Sequence, residues 1–248
     1  MRQANCISIA VLLLLIMFGV AACRTSPQVK EPAVAPDPAQ LLEKLKWRQS
    51  ALKSIDAEFG ADVYQARRHD RIKLAIIAER PQKLFMEADG PVGVGVLGIL
   101  ACNGEDFQQY DPQHNTAYFG PATKAAISRL LPFDIGPQEL IDLVFASPQL
   151  IKAERRAFGY DDKEGLYRFT WKGMDETQHV WFDSDGNPSR VLLQDAAGNA
   201  LYNIIYRGYS DYTDQRIPYP STIRFETQQG HTRLVLKLHS DLRINQPV

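Results

Sequence analysis

Residues 55–64 read IDAEFGADVY, and the apolar and polar residues of this stretch alternate, which is the clearest indication of the fold class. Ile55, Phe59 and Val63 fall on one side of an extended chain, whereas Asp56 and Asp62 fall on the other. Side chains of a β-strand point alternately to the two faces of a sheet, so a period of two predicts a strand with one buried face. Strands of this kind are typical of antiparallel sheets that cover a core on one side.

Similar segments separated by short turns continue along the chain, including a hairpin centred on Asn103-Gly104, a strong two-residue turn signal. Helices are predicted over 40–53, 121–131 and 137–146, and the last two begin with proline. The expected fold class is α+β, mainly antiparallel β, with one large sheet covered by a few helices. Further strands are predicted over 71–79, 82–88, 99–107 (the hairpin), 116–119, 150–158, 166–172, 179–182, 190–194, 201–206, 222–227 and 232–239.

The first 22 residues have the three parts of a secretory signal peptide: the basic Arg2, an apolar run over 7–22 and a small-residue exit. The run is short for a membrane span, which needs about 20 apolar residues. It ends in Val20-Ala21-Ala22-Cys23, which resembles the bacterial lipobox. The resemblance implies cleavage before Cys23 and attachment of lipid to that cysteine. There are two alternatives: an ordinary signal peptide with a chance cysteine, or a short uncleaved anchor.

The segment after the expected lipidation site is rich in proline and predicts a tether over residues 23–39, followed by one folded domain over 40–248. Arg24 follows the cysteine, where aspartate would favour retention in the inner membrane of lipoproteins of this type. The resemblance therefore implies a location at the periplasmic face of the outer membrane.

Composition and motifs argue against several classes of function. The net charge of −1 suggests no nucleic-acid partner. Cys102 is the only cysteine outside the predicted signal and lipobox, and a lone thiol of this kind is usually buried. The histidines lack metal-ligand spacing, and the nucleophile motif Gly-x-Ser-x-Gly does not occur. The sequence therefore predicts a protein that is not an enzyme and needs neither a metal nor a cofactor.

The most unusual motif is the glycine- and valine-rich segment over 89–98, DGPVGVGVLG. It contains no lysine, serine or threonine, and a strand follows it, so it does not fit a phosphate-binding loop. The composition alone favours a buried strand with glycines for close packing. The alternative is an exposed apolar tip that contacts lipid or a hydrophobic partner.

Three stretches together resemble the outer-membrane lipoprotein receptors of the LolB family, within the LolA/LolB superfamily. Each stretch is short, and their order over residues 40–244 carries most of the resemblance. The stretches are DGPVG over 89–93; ISRLLPFDI over 127–135 with the helix to Ser147-Pro148; and IIYRGY over 204–209 with PYP over 218–220 and RLVLKL over 233–238.

The resemblance implies an unclosed, curved antiparallel β-barrel of about 11 strands, with a helical lid over an apolar cavity. It further implies a monomer without cofactors that receives acylated lipoproteins from a LolA-like periplasmic carrier and inserts them in the outer membrane. It also reverses the interpretation of the glycine-rich segment, which becomes a membrane-insertion loop. The expected insertion residues are Val92 at the tip, Val94, Val96 and Leu97; the expected cavity and lid residues are Phe85, Ile127, Leu130, Leu131, Leu140, Val144, Phe145, Trp171 and Tyr206.

Three other functions are compatible with the same fold, because a fold does not determine a function. One is an interaction or scaffold lipoprotein that carries no lipid, and another is a carrier of a different lipid. The third is an enzyme such as a periplasmic hydrolase, which a cluster of acid, base and nucleophile in the structure would support.

Overall fold

A computed structural model describes residues 31–32, 34–128, 135–212, 216–227, 232–239 and 242–246. The predicted signal peptide, Cys23 and the first part of the tether lie outside these residues, so their assignment stays a prediction.

The described chain consists of fourteen strands and three helices. The helices are α1 (Pro38–Ala51), α2 (Lys124–Ile127) and α3 (Pro137–Val144). The first seven strands are β1 (Ser54–Gln65), β2 (Arg68–Glu79), β3 (Lys83–Asp89), β4 (Val96–Cys102), β5 (Asp106–Asp111), β6 (Thr116–Pro121) and β7 (Arg155–Asp161). The other seven are β8 (Leu166–Lys172), β9 (Glu176–Phe182), β10 (Pro188–Asp195), β11 (Ala200–Ser210), β12 (Tyr219–Thr227), β13 (Thr232–Leu238) and β14 (Arg243–Ile244).

All strands belong to one antiparallel sheet in the order β6-β5-β4-β3-β2-β1-β13-β12-β11-β10-β9-β8-β7, with β14 paired to β1. In the described part of the chain β6 and β7 form the two ends of this order, so hydrogen bonds do not close the sheet into a barrel. The predicted fold class is confirmed: a mainly antiparallel, unclosed, curved sheet with helices. The strand number differs from the expected value of about 11 because the sheet includes edge hairpins and the two-residue β14.

The alternation in residues 55–64 has the predicted consequence. Ile55, Ala57, Phe59, Ala61 and Val63 are all buried and belong to a single hydrophobic core. Strand β1 pairs with β2 over its whole length, from Ser54 opposite Glu79 to Gln65 opposite Arg68. The turn between them contains only residues 66–67, so β2 begins at Arg68 and not at the predicted residue 71.

Two further boundaries differ from the prediction. Strand β7 begins at Arg155 because residues 150–154 continue from α3 without joining the sheet. The glycine-rich loop contains only residues 90–95, because Val96 already pairs with Asp89 at the start of β4. Val96 and Leu97 therefore lie in a strand instead of in the loop.

Helix α1 packs across the end of the sheet where β1 begins. Asp37 caps the helix by accepting a hydrogen bond from the Ala39 amide at 2.8 Å. Leu41 and Leu45 are buried in the core, and the Lys44 ammonium donates to the Asp185 carbonyl in the turn between β9 and β10.

Candidate functional site

A cavity of about 580 Å³ lies between the inner face of β9–β13 and the segment formed by α3 and residues 148–151. Its wall has an apolar part and a polar part. The apolar lining residues are Ile135, Pro148, Leu150, Ile151, Leu193, Leu201, Tyr202, Ile204, Tyr206 and Phe225. The polar lining residues are Gln65, Lys124, Gln138, Glu139, Asp142, Gln149, Glu176, Gln178, Thr227 and Thr232.

The polar lining residues mark the mouth of the cavity. Gln65 is the last residue of β1, Thr227 the last of β12, Thr232 the first of β13 and Glu176 the first of β9. In an antiparallel sheet the end of one strand lies beside the start of the next, so these residues share one end of the sheet. The mouth therefore opens at the end opposite α1.

Helix α3 presents two different faces. Its apolar residues Leu140, Val144 and the following Phe145 are buried in the core, whereas Asp142 lines the cavity. The Arg80 guanidinium donates to the Asp142 carboxylate at 3.0 Å and to the Ser147 carbonyl at 3.3 Å. Burial raises the pKa of Asp142 above its ordinary value, although the positive charge of Arg80 acts in the opposite direction. Arg80, at the end of β2, thus ties the lid helix to the sheet.

Other side chains fasten the chain just beyond α3. Arg48 of α1 is buried and donates from Nε to the Ala146 carbonyl at 2.9 Å. The Tyr219 hydroxyl donates to the Val144 carbonyl. Gln178 of β9 donates to the Gln149 carbonyl at 2.9 Å and accepts from the Ile151 amide at 3.2 Å. These bonds satisfy backbone groups of residues 144–151 that have no partner in a strand. They also hold this segment, the roof of the cavity, over the sheet.

Two tyrosines of β11 share the inner face of that strand because they are four residues apart. Both Tyr202 and Tyr206 line the cavity, and burial raises the pKa of each hydroxyl above its ordinary value. The Tyr206 side chain is buried, and its hydroxyl has no hydrogen-bond partner among the residues that the structure describes. Both hydroxyls therefore stay protonated.

The loop over 90–95 has a defined turn conformation. The Gly90 amide donates to the Gly95 carbonyl at 2.9 Å, and the Val94 amide donates to the Pro91 carbonyl at 2.9 Å. Gly93 and Gly95 have φ values of +92° and +77°, which a residue with a Cβ atom rarely adopts. The turn leaves the Val92 side chain fully exposed and Val94 exposed. Because β3 ends and β4 begins at the mouth end of the sheet, the loop and the mouth lie at the same end.

The structure separates the predicted cavity and lid residues into groups. Tyr206 lines the cavity, whereas Leu140, Val144, Phe145 and Trp171 are buried in the core. Phe85 lies between the inward-facing Leu84 and Met86 on β3, so it points to the outer face of the sheet. Leu130, Leu131 and the side chain of Ile127 lie outside the described residues.

Several lining residues were not among the predicted ones. Ile204 and Tyr202 could have been found because they alternate with Tyr206 on one face of a predicted strand. Leu150 and Ile151 could not, because they lie in a segment that the alternation assigns to a strand.

The described residues contain no group of three or more histidine, cysteine, aspartate or glutamate side chains placed to hold a metal ion. Cys102 is free and buried, as predicted from its isolation in the sequence. Among the described helices, none combines the length and the hydropathy that crossing a membrane requires.

No protein-family model matches the sequence. No curated protein matches it either. Several solved structures share its fold. A Vibrio parahaemolyticus domain described as an outer-membrane lipoprotein-sorting protein aligns with a TM-score of 0.55 at 16% identity, over 84% of this chain and 92% of that one. A LolA superfamily protein from Nitrosomonas europaea aligns with a TM-score of 0.52 at 13% identity, over 86% and 96%.

A DUF1329 family protein from Desulfovibrio piger aligns with a TM-score of 0.55 at 11% identity, over 84% of this chain and 92% of that one. At these identities the comparisons show the fold alone. The chain therefore has the fold of the LolA superfamily.

Proposed function

We propose that this protein is a lipid-anchored lipoprotein at the periplasmic face of the outer membrane. In this proposal it receives acylated lipoproteins from a LolA-like soluble carrier and inserts them in that membrane. The cavity shelters acyl chains during transfer, and the loop over 90–95 contacts the bilayer. The observation that carries the proposal is that the mouth of the cavity and the fully exposed Val92 lie at the same end of the sheet.

The energetics favour an arrangement of this kind. Each CH₂ group removed from water contributes about 0.8 kcal/mol, so an acyl chain in the periplasm needs an apolar shelter. The inner wall supplies Leu193, Ile204 and Phe225 for this purpose. The exposed Val92 and Val94, at the same end of the sheet as the mouth, offer an apolar contact with the bilayer.

The proposed tether is long enough for the loop to reach the membrane that holds the anchor. The described part of the tether lies at the far end of the sheet, where Glu31 accepts a hydrogen bond from the Tyr167 hydroxyl at 3.1 Å. A 12-residue strand such as β1 is about 40 Å long. Residues 23–37 at full extension span up to about 50 Å, whereas residues 23–31 alone span about 28 Å. Contact with the membrane therefore requires release of the Glu31 contact or a tilted molecule.

Depletion of the protein in the cell tests the proposal. Other lipoproteins should then accumulate in the periplasm or the inner membrane, which fractionation and immunoblotting measure. Normal sorting after complete depletion would contradict the proposed function.

A substitution in the loop tests the role of the valines. Val92→Glu places a charge on the tip, so lipoproteins should bind the protein but fail to enter the outer membrane. Val34→Glu is the matched control, because Val34 is also exposed but lies in the tether. If both variants support insertion as well as the wild type does, the loop has no part in the mechanism.

The volume of the cavity favours a second candidate, a carrier of a single-chain lipid. An apolar cavity of about 150 Å³ takes one benzene molecule, which is roughly 25 Å³ per carbon atom. At that packing the cavity of about 580 Å³ holds roughly 23 carbon atoms, enough for one long acyl chain. A lipoprotein with three chains would need the roof to move. Mass spectrometry of lipids that co-purify with the protein distinguishes the two candidates, since only the first predicts acylated peptides.

A further inference from the structure

We infer that the Tyr206 hydroxyl recognises the carbonyl oxygen of a neutral ester or amide on the acyl ligand. The inference rests on the proposed function in one respect, namely that the cavity holds an acyl chain. It goes further by assigning a specific polar contact and a chemical class: a single long chain joined through an uncharged carbonyl group.

The first observation is the unpartnered hydroxyl. Tyr206 is only 2% exposed, and its oxygen has no hydrogen-bond partner among the described residues. A buried hydroxyl without a partner lowers the stability of a folded protein, and native proteins leave few such groups. Two nearby tyrosines differ, since the partly buried Tyr209 donates to the Pro188 carbonyl and the buried Tyr219 donates to the Val144 carbonyl. The Tyr206 hydroxyl can therefore still donate one hydrogen bond.

The second observation is the position of the side chain. Tyr206 lines the cavity, and the groups that act on its hydroxyl electrostatically are, from the largest effect down, Tyr209, Tyr202, Asp142 and Tyr219, of which Tyr202 and Asp142 line the cavity too. The Asp142 carboxylate is engaged by Arg80 at 3.0 Å and by Gln138 at 3.3 Å. Burial keeps the pKa of Tyr206 well above its ordinary value, so the hydroxyl remains a neutral donor. A suitable partner for this hydroxyl is a hydrogen-bond acceptor on a ligand that enters the cavity.

The third observation is the charge of the wall, which decides the kind of acceptor. Glu139, Asp142 and Glu176 contribute carboxylates to the lining. Among the described residues, Lys124 is paired with Glu139 at 3.6 Å and Arg80 with Asp142 at 3.0 Å. A free fatty-acid carboxylate would meet like charges here, whereas an ester or amide carbonyl would not. The room for roughly 23 carbon atoms limits the ligand to one chain with a small linking group.

Binding of matched lipids tests the inference on the full chain carrying Cys23→Ser. The probes are 1-palmitoylglycerol, which has an ester carbonyl, and 1-O-hexadecylglycerol, an ether that lacks it. N-palmitoylethanolamine has the amide-linked carbonyl of an acylated amino group, and palmitate has a carboxylate. Displacement of a fluorescent acyl probe gives each affinity. The ester and the amide should each bind about 3- to 10-fold more tightly than the ether, the ratio expected for one hydrogen bond. Palmitate should bind more weakly than the ester.

The variant Tyr206→Phe should lower the affinity for the ester to that for the ether and leave the ether unchanged. It should also unfold at the same or a higher urea concentration, because it removes an unpartnered buried hydroxyl. Tyr209→Phe is the matched control, since it makes the same chemical change at a partly buried tyrosine outside the cavity lining. It should keep the ratio of ester to ether.

The possible failures are distinguishable. If the lipids bind but Tyr206→Phe keeps the ratio, or if palmitate binds best, the assignment of the carbonyl contact is wrong and lipid binding stands. If no probe binds, the proposed function is wrong as well. A preference for the amide over the ester would indicate the acyl group of a lipoprotein, and the reverse preference would indicate a glycerolipid.

Discussion

The two halves of the inner face of the sheet differ in what they enclose. On β2–β4 the inward residues are mostly aliphatic and buried, and none of these lines the described cavity: Leu74, Ile76, Leu84, Met86 and Leu100. On β9–β12 the inward residues include Gln178, Tyr202 and Tyr206, and they border a cavity of about 580 Å³. We call these the dry half and the cavity half.

Alternation determines which face of a strand is buried, whereas the chemistry of the inward side chains determines whether they border a cavity. Both halves alternate with a period of two, so both bury one face. In the dry half the inward side chains are mostly aliphatic and belong to the buried hydrophobic core. In the cavity half the tyrosines and the polar face of α3 leave space between sheet and lid. The site therefore follows from which residues point inward.

The largest effect is expected from breaking the contact that ties the lid helix to the dry half. Arg80→Met leaves the largely buried Asp142 carboxylate without its cation and should destabilise the protein by about 3–5 kcal/mol. The double variant Arg80→Met/Asp142→Leu should recover most of that loss, because it removes both charges. Urea unfolding measures each free energy of unfolding. Additive losses in the double variant would show that the pair is not coupled.

A matched pair of isoleucines compares the packing of the halves directly. Ile76→Ala in the dry half should cost about 2–5 kcal/mol, because it opens a new cavity in a closed core. Ile204→Ala should cost less, about 1–2 kcal/mol, because Ile204 already borders the cavity. Chemical denaturation of the two variants gives the difference. Equal costs would mean that the two halves are packed alike.

The outer face of the sheet carries a polar network that the pH dependence of stability should reveal. Burial acts to raise the pKa of Asp62, but hydrogen bonds from His69, Arg71 and Lys237 outweigh it and hold that pKa well below its ordinary value. The lowered pKa stabilises the fold above the unfolded pKa of about 4, and this stabilisation is lost as the pH falls below it. Asp62→Asn should cost about 1–3 kcal/mol at pH 7 and flatten the loss of stability on acidification. Unfolding curves between pH 7 and pH 3 measure this. An unchanged slope in the variant would remove Asp62 from the acid response.

The smallest effect on stability is expected in the loop. Val92→Glu should change the free energy of unfolding by less than about 0.5 kcal/mol, since the side chain has no packing contacts to lose. In a Cys23→Ser background, which removes the proposed lipid anchor, the same variant should abolish binding to phospholipid vesicles, which a flotation assay detects. Destabilisation by more than 1 kcal/mol would show that the loop packs on the body of the protein.

The fold was predictable from the sequence to a larger extent than the site. The alternation in residues 55–64 places five residues in the core because period two is a local property of the chain. Trp171 and Phe145 were predicted to form the cavity or its lid, but they fill the core, which depends on how the helix packs on the sheet. The loop was recognised as apolar, yet the entry of Val96 into a strand depends on its pairing with Asp89. Contacts between distant segments, such as Gln178 with residues 149–151, have no local signal.

Photo-crosslinking in the cell tests the central claim most directly, because it reports what occupies the cavity. A benzophenone amino acid replaces Tyr202, which lines the cavity, or Phe85, which lies on the outer face of the dry half. Mass spectrometry identifies the crosslinked molecules. We expect acylated molecules attached at position 202 and none at position 85. Absence of acylated adducts at position 202, or equal amounts at the two positions, would contradict it.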